Sequence, residues 1–233
     1  MQADMKDRSV YKLGGAASII VGISYTVAAV TAVLMPPAMA GLPSIQSPFV
    51  LFEENSTMLL ANYWALLISA VFALAVVPAV SNTVMHRNEG WVRWTSTLAT
   101  IAFAVVILDN YWALVYTAPR AQAFMTGSEA VRAALTVPGA PQWIDVQGWL
   151  ANGVFGLWAL VVSLLALRGS LWPKGLAYLG IGGAILLFLG LAATVIPGLF
   201  LSGMGNIISG IGALYAPIWF IWMGLFLYRR KAQ

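Results

Sequence analysis

Apolar positions run along this chain in six long blocks, about 13–35, 59–80, 94–118, 147–167, 174–196 and 206–228. Each is close to the ~20 residues an α-helix needs to cross the hydrocarbon of a bilayer. Inside hydrocarbon the backbone must satisfy its own polar groups, so each block is predicted to be a helix. Prolines punctuate the blocks. Pro36-Pro37 end the first, Pro78 lies near the end of the second and Pro119 is expected to stop the third. Pro173 opens the fifth at a first-turn position and Pro197-Gly198 closes it. The predicted fold is all-α, a polytopic six-helix transmembrane bundle. It forms a single domain over 13–228, between a tail at 1–12 and a basic tail at 229–233.

Composition strengthens this reading. Only 9% of the 233 residues are charged, against about 25% in a soluble domain, too few to cover a water-facing surface. The placement of positive charge sets the expected orientation. Lys6, Arg8, Lys12, Arg87, Arg93, Arg168, Lys174, Arg229, Arg230 and Lys231 all fall on one side of the predicted bundle, leaving Arg120 and Arg132 on the other. The positive-inside rule then puts both termini in the cytoplasm of a plasma (inner) membrane.

The net charge of +4 follows from this topology and forms no stripe suited to nucleic acid. Cysteine is absent, and the one histidine, His86, falls in an inner loop. No histidine is then available within the membrane for a metal or haem, or for a hydrolytic triad. The glycine-rich segments match no nucleotide loop. The chain is therefore expected to be no enzyme and to carry no cofactor.

The outer connections are the longer ones. Residues 36–58 include the apolar patch Phe49-Val50-Leu51-Phe52. In residues 119–146, Ser128 is placed to cap a short helix with Glu129 in its first turn. Ala130, Val131, Ala134 and Leu135 would form that helix's apolar side.

Asp109 is the most informative polar position. In a helix over 94–118 it lies roughly 5 Å beyond the midpoint at about 1.5 Å per residue. A carboxylate at that depth costs about 2.5–3.5 kcal/mol on insertion scales, so it should face the bundle interior or water. Trp112, Ala113 and Tyr116, at three, four and seven residues along, share its face, while Asn110 points elsewhere. Two roles compete for Asp109: a buried hydrogen-bond node, or a proton-linked gate or ligand contact.

The pentapeptide NYWAL occurs at 62–66 and again at 110–114. The predicted helices carrying the two copies are antiparallel and place them at different depths, so they make no symmetric pair. Chance or local duplication explains the repeat most simply. Its rival is a cavity shared by Asn62 and Asp109. Tyr63 and Trp64 suit an aromatic belt, as do Trp91, Trp94, Trp143, Trp149 and Trp172. Trp219 and Trp222 read as packing residues. Small residues at four-residue spacing, Gly14, Ser18 and Gly22 in the first helix and Gly205, Ser209 and Ala213 in the sixth, let helices approach closely. Pro217 is a candidate hinge or packing kink that frees the carbonyl of Ala213. Asn206 and Tyr215 are possible polar lining beside it.

Residues 148–185, GWLANGVFGLWALVVSLLALRGSLWPKGLAYLGIGGAI, combine a glycine-containing helix, a short basic inner loop and a Pro-x-x-Leu-x-x-Leu-Gly start at Pro173–Gly180. This pattern resembles that of an uncharacterised family of bacterial multi-helix membrane proteins. The resemblance implies a bacterial plasma membrane and brings no catalytic role.

The first functional expectation is a non-enzymatic accessory or scaffold protein partnered by lipid and by other membrane subunits or itself. The alternative is a small proton-linked transporter, or a protein binding lipid or small molecules around Asp109, Asn110, Trp112, Tyr116 and Asn62, with Arg120 and Arg132 attracting anions from the outer side.

Overall fold

The computed structural model describes residues 2–34, 47–136, 144–145, 148–196 and 204–230; side chains are described from Ser9, except at 47 and 193–195, and in the last helix from Ile211 with Ala213 excepted. Seven α-helices form among these residues: α1 (Gln2–Leu34), α2 (Ser47–Asn82), α3 (Glu89–Thr126), α4 (Glu129–Leu135), α5 (Phe155–Arg168), α6 (Lys174–Val195) and α7 (Met204–Arg229). Five helical stretches are long and apolar enough to cross a membrane: Ser9–Leu34, Pro48–Asn82, Glu89–Thr126, Trp149–Arg168 and Lys174–Ala192. The chain is thus an all-α, polytopic membrane protein. Pro36, Pro37, Trp143, Pro197 and Gly198 lie outside the described residues.

The helices close into a ring. α1 packs on α2 and α7, α2 on α3, α3 on α5, α5 on α6, and α6 on α7. One end of the ring carries the start of α1, the end of α7 and the short connections; the other carries the long connections. At the terminal end the centre is filled. Val77 and Val80 of α2, Trp158 and Val162 of α5, Leu176 of α6, and Met223 and Leu227 of α7 are fully buried there. The Trp158 indole donates to Ser81 Oγ at 2.9 Å, and Ser81 Oγ lies 2.6 Å from Ser96 Oγ. Trp172 donates to Thr83 Oγ1 at 2.8 Å. Trp172 is therefore a buried tie between connections and not a belt residue. Trp91 and Trp94 are exposed and meet edge to face. Leu13, Ile23, Val30, Ile101 and Leu108 point outward, as a lipid-facing surface requires.

Helix ends depart from the predicted boundaries in two places. α3 continues through Pro119 to Thr126. A proline removes one backbone donor but does not forbid the helix beyond it when neighbouring packing holds the next turn. Here Ala121 is buried and the ring of Phe124 lies 5.4 Å from that of Phe49. α2 begins at Ser47, within the segment expected to be a connection, and breaks at Asn55, whose φ and ψ are −154° and 67°. Asn55 Oδ1 accepts from the amide of Met58 at 3.3 Å, so it caps the long part of α2. The short part before it lays Phe49 and Phe52 against the far end of α3. In α4, Ser128 accepts from the amide of Val131 and Glu129 occupies the first turn, but no residue of this helix is buried.

Glycine explains how closely α1 approaches its neighbours. A Cβ on Gly15 would meet the backbone of Tyr228 at 2.9 Å, and one on Gly22 the carbonyl oxygen of Pro217 at 3.1 Å. Between them Ser18 donates to the carbonyl of Phe220 at 2.6 Å. The small face toward α7 is therefore Gly15, Ser18 and Gly22. Gly14, assigned to it by four-residue spacing, instead abuts Ala79 of α2. Pro217 lies within α7, which continues through it. The side chains of Asn206, Ser209 and Ala213, and the surroundings of Gly205, are outside the described residues.

Candidate functional site

Away from the packed end, the ring does not fill. A cavity of about 710 Å³ lies between the helices, with lining from α1, α2, α3, α5, α6 and α7. That volume is within the ~300–1,000 Å³ usual for small-molecule sites. Its floor is aromatic: Phe155, Trp219 and Phe220 line it. Phe155 stacks on Phe220 at 6.2 Å, and Trp158 beneath meets Trp219 edge to face at 6.2 Å. The walls are mainly small or aliphatic, among them Ala28, Ala32, Ala102, Val106, Ala184 and Leu187.

Polar groups gather toward the end with long connections. Asn62 and Tyr63 of the first NYWAL copy line the cavity, as do Asp109 and Asn110 beside the second. The repeat thus supplies two walls of one space from antiparallel helices, without symmetry. Asn62 donates to the carbonyl of Ala28 at 2.8 Å and to Thr31 Oγ1 at 3.0 Å, tying α2 to α1. Tyr63 is buried, not in the belt, whereas Trp64 is exposed.

Asp109 is 7% exposed, and its partner is backbone. Oδ1 accepts from the amide of Ile144 at 2.6 Å and Oδ2 from the amide of Asp145 at 3.3 Å. Asp145 repeats the device one step on. Its Oδ2 accepts from the amides of Leu150 and Ala151 at 2.9 and 2.7 Å, capping the π turn Trp149–Val154 that opens α5. Gly148 supplies the left-handed turn between them, with φ 72°. Two carboxylates in series thus fix the entry of the chain into α5 at the cavity's polar end, where Asp145 and Asn152 also line it.

Four buried side-chain polar atoms lack a hydrogen-bond partner among the described residues: Asn110 Oδ1, Ser163 Oγ, Trp219 Nε1 and Arg230 Nη1. Asn110 donates to the carbonyl of Val106 at 2.8 Å, but its carbonyl oxygen is left over. Asn110 and Trp219 both line the cavity; a Cβ on Gly180 would collide with Ser163 Oγ and come within 3.0 Å of Trp219 Nε1. An unpaired buried donor or acceptor costs about 1–3 kcal/mol. Tyr215 donates to the carbonyl of Leu179, closing α7 on α6.

Other expected site residues lie elsewhere. Trp112 and Tyr116 are 41% and 40% exposed, their tilted rings 4.8 Å apart, and neither lines the cavity. The burial of Asp109 is shared by Asn110 and Ala113, so the inward face of α3 is turned from the one that spacing alone suggests. Arg120 sits over the Tyr116 ring at 5.7 Å, in a shallow outer depression with Phe49 and Thr117. Arg132 Nε donates to the carbonyl of Gly127 at 3.3 Å, far along the chain from the cavity lining. Asp145, Asn152 and Trp219 were not read as a site. An aspartate shortly before a glycine and an apolar run is a helix-start signal and is the cue that points to Asp145. Among the described residues, no three His, Asp or Glu side chains come together as a metal would need.

The family model described as "Domain of unknown function (DUF4386)" matches residues 15–227, and the chain belongs to that family of multi-helix membrane proteins. No curated protein and no solved structure matches it.

Proposed function

We propose that this DUF4386 member binds an amphipathic small molecule or lipid within the membrane, in the cavity between its helices. The single observation that carries this is the unfilled space itself. It is about 710 Å³ in volume, apolar in most of its wall, and lined in part by Asn110 and Trp219, each of which carries a buried polar atom without a hydrogen-bond partner among the described residues. Apolar walls with a few placed polar groups are the ordinary make-up of a ligand site. Asp109 acts here as the anchor of the cavity's polar end, holding the amides of Ile144 and Asp145.

The scaffold reading rests on small size, glycine-lined helices, sparse interior charge and the lack of soluble chemistry. Among the described glycines of α1 and α7, four are engaged within the chain: Gly14 on Ala79, Gly15 on Tyr228, Gly22 on Pro217 and Gly224 on Gly15. The preferred topology keeps six crossings, with α7 as the sixth and both termini in the cytoplasm of a bacterial plasma membrane. Its support is the one-sided placement of basic residues. In that orientation the cavity's polar end is the outer end, and lipid is the partner of the outward faces.

Nile red, a neutral dye whose emission reports its surroundings, tests the cavity. Gly212 lines the space, and a Cβ there would meet nothing within 4 Å. Gly212→Leu therefore fills the cavity without displacing a neighbour at the first carbon. The expected result is saturable dye binding to the wild-type chain in nanodiscs, above empty nanodiscs, and its loss in Gly212→Leu. No saturable component in the wild type would contradict the reading.

A further inference from the structure

The cavity carries formal charge of one sign only. Asp109 and Asp145 stand at its polar end, and none of its described lining residues is Lys, Arg or His. Both carboxylates accept from backbone amides, which orient them without neutralising a full charge. Asn110, 5% exposed, adds a carbonyl oxygen with no partner among the described residues. Among the mainly small and aliphatic lining stand six further rings, Tyr25, Phe103, Phe155, Tyr215, Trp219 and Phe220.

We propose that this cavity takes lipophilic cations and rejects anions of the same size, an inference that rests on the ligand-binding reading above. A cation among aromatic faces is attracted by their quadrupoles. It also meets the field of two carboxylates where little water screens them. An anion of equal size meets the same carboxylates and the negative faces of the rings, with no basic side chain among the described lining to receive it. Arg120 and Arg132, the residues expected to attract anions, do not line the cavity. The sign of charge it accepts is thus opposite to the one those arginines suggest.

The test uses tetraphenylphosphonium and tetraphenylborate, ions of nearly equal size and opposite charge. Binding of each is measured on the full chain in nanodiscs of zwitterionic lipid, with binding to empty nanodiscs subtracted. Saturable tetraphenylphosphonium binding, at least roughly tenfold tighter than tetraphenylborate and lost in Gly212→Leu, supports the proposal. Asp145→Asn keeps an oxygen for the amides of Leu150 and Ala151 while removing the charge. It is expected to weaken tetraphenylphosphonium about tenfold, which at about 1.4 kcal/mol is the size of a single-charge effect. Equal or tighter binding of tetraphenylborate overturns the charge inference. Absence of saturable binding for both ions also overturns it. In either case saturable Nile red binding would leave the cavity reading standing, and its absence would remove both.

Discussion

The carboxylate of Asp109, in the middle of a long apolar helix, is held by the backbone amide of Ile144 at 2.6 Å, 35 residues further along the chain. The bond, together with that from Asp145 to the same side chain, joins α3 to the entry of α5. It explains how a carboxylate is accommodated in so apolar a helix: it answers two amides that would otherwise lack partners.

Removing that carboxylate should loosen the connection before it disturbs the bundle. Asp109→Ala leaves the amides of Ile144 and Asp145 unanswered and should cost about 1–3 kcal/mol. Asp109→Asn retains one accepting oxygen in place of two and should cost about 1 kcal/mol. Thermal denaturation in detergent, with limited proteolysis of residues 136–148, measures both. Equal stability of all three proteins would contradict the anchoring role.

The contact of α1 with α7 should be comparably sensitive. Gly15→Leu drives a side chain into the backbone of Tyr228 and the carbonyl of Gly224, and overpacking of this kind costs about 1–3 kcal/mol. Ser18→Ala loses only the bond to the Phe220 carbonyl and should cost about 1 kcal/mol. The order of thermal midpoints, wild type above Ser18→Ala above Gly15→Leu, is the expected readout.

Orientation is open to a clean chemical test because the chain has no cysteine. Single cysteines at Arg132 and at His86, both exposed, should react oppositely with a membrane-impermeant maleimide on intact cells. The Arg132→Cys protein is expected to label and the His86→Cys protein to label only after the membrane is opened. The reverse pattern would invert the topology.

The sequence made some of this architecture plain and concealed the rest for physical reasons. Long apolar blocks are obligatory for crossing hydrocarbon, so α1, α2, α3, α5 and α6 were legible directly. Pro119 misled because its effect depends on what packs around the next turn, here Ala121 and Phe124. Asn55 was missed because a cap within one helix-like run has no strong composition signal. Asp109 and Asn62 stood out as polar residues in apolar surroundings. The partners of Asp109 could not be read, since any backbone amide can serve and only folding chooses Ile144. Trp112 and Tyr116 fell on the outer face because a rotation of α3 by part of a turn exchanges Trp112 for Asn110 as the buried neighbour. Trp219 read as packing, which it is; that it also lines an unfilled space depends on all six surrounding helices.

Native mass spectrometry of the chain extracted gently from its own membrane, beside its Gly212→Leu variant, tests the central claim most directly. A reproducible bound small molecule or lipid, near one per chain in the wild type and absent from the variant, is the predicted result. A wild-type chain that carries no such mass, and appears instead in a stable heteromeric assembly, would contradict the ligand-binding account and favour the scaffold reading.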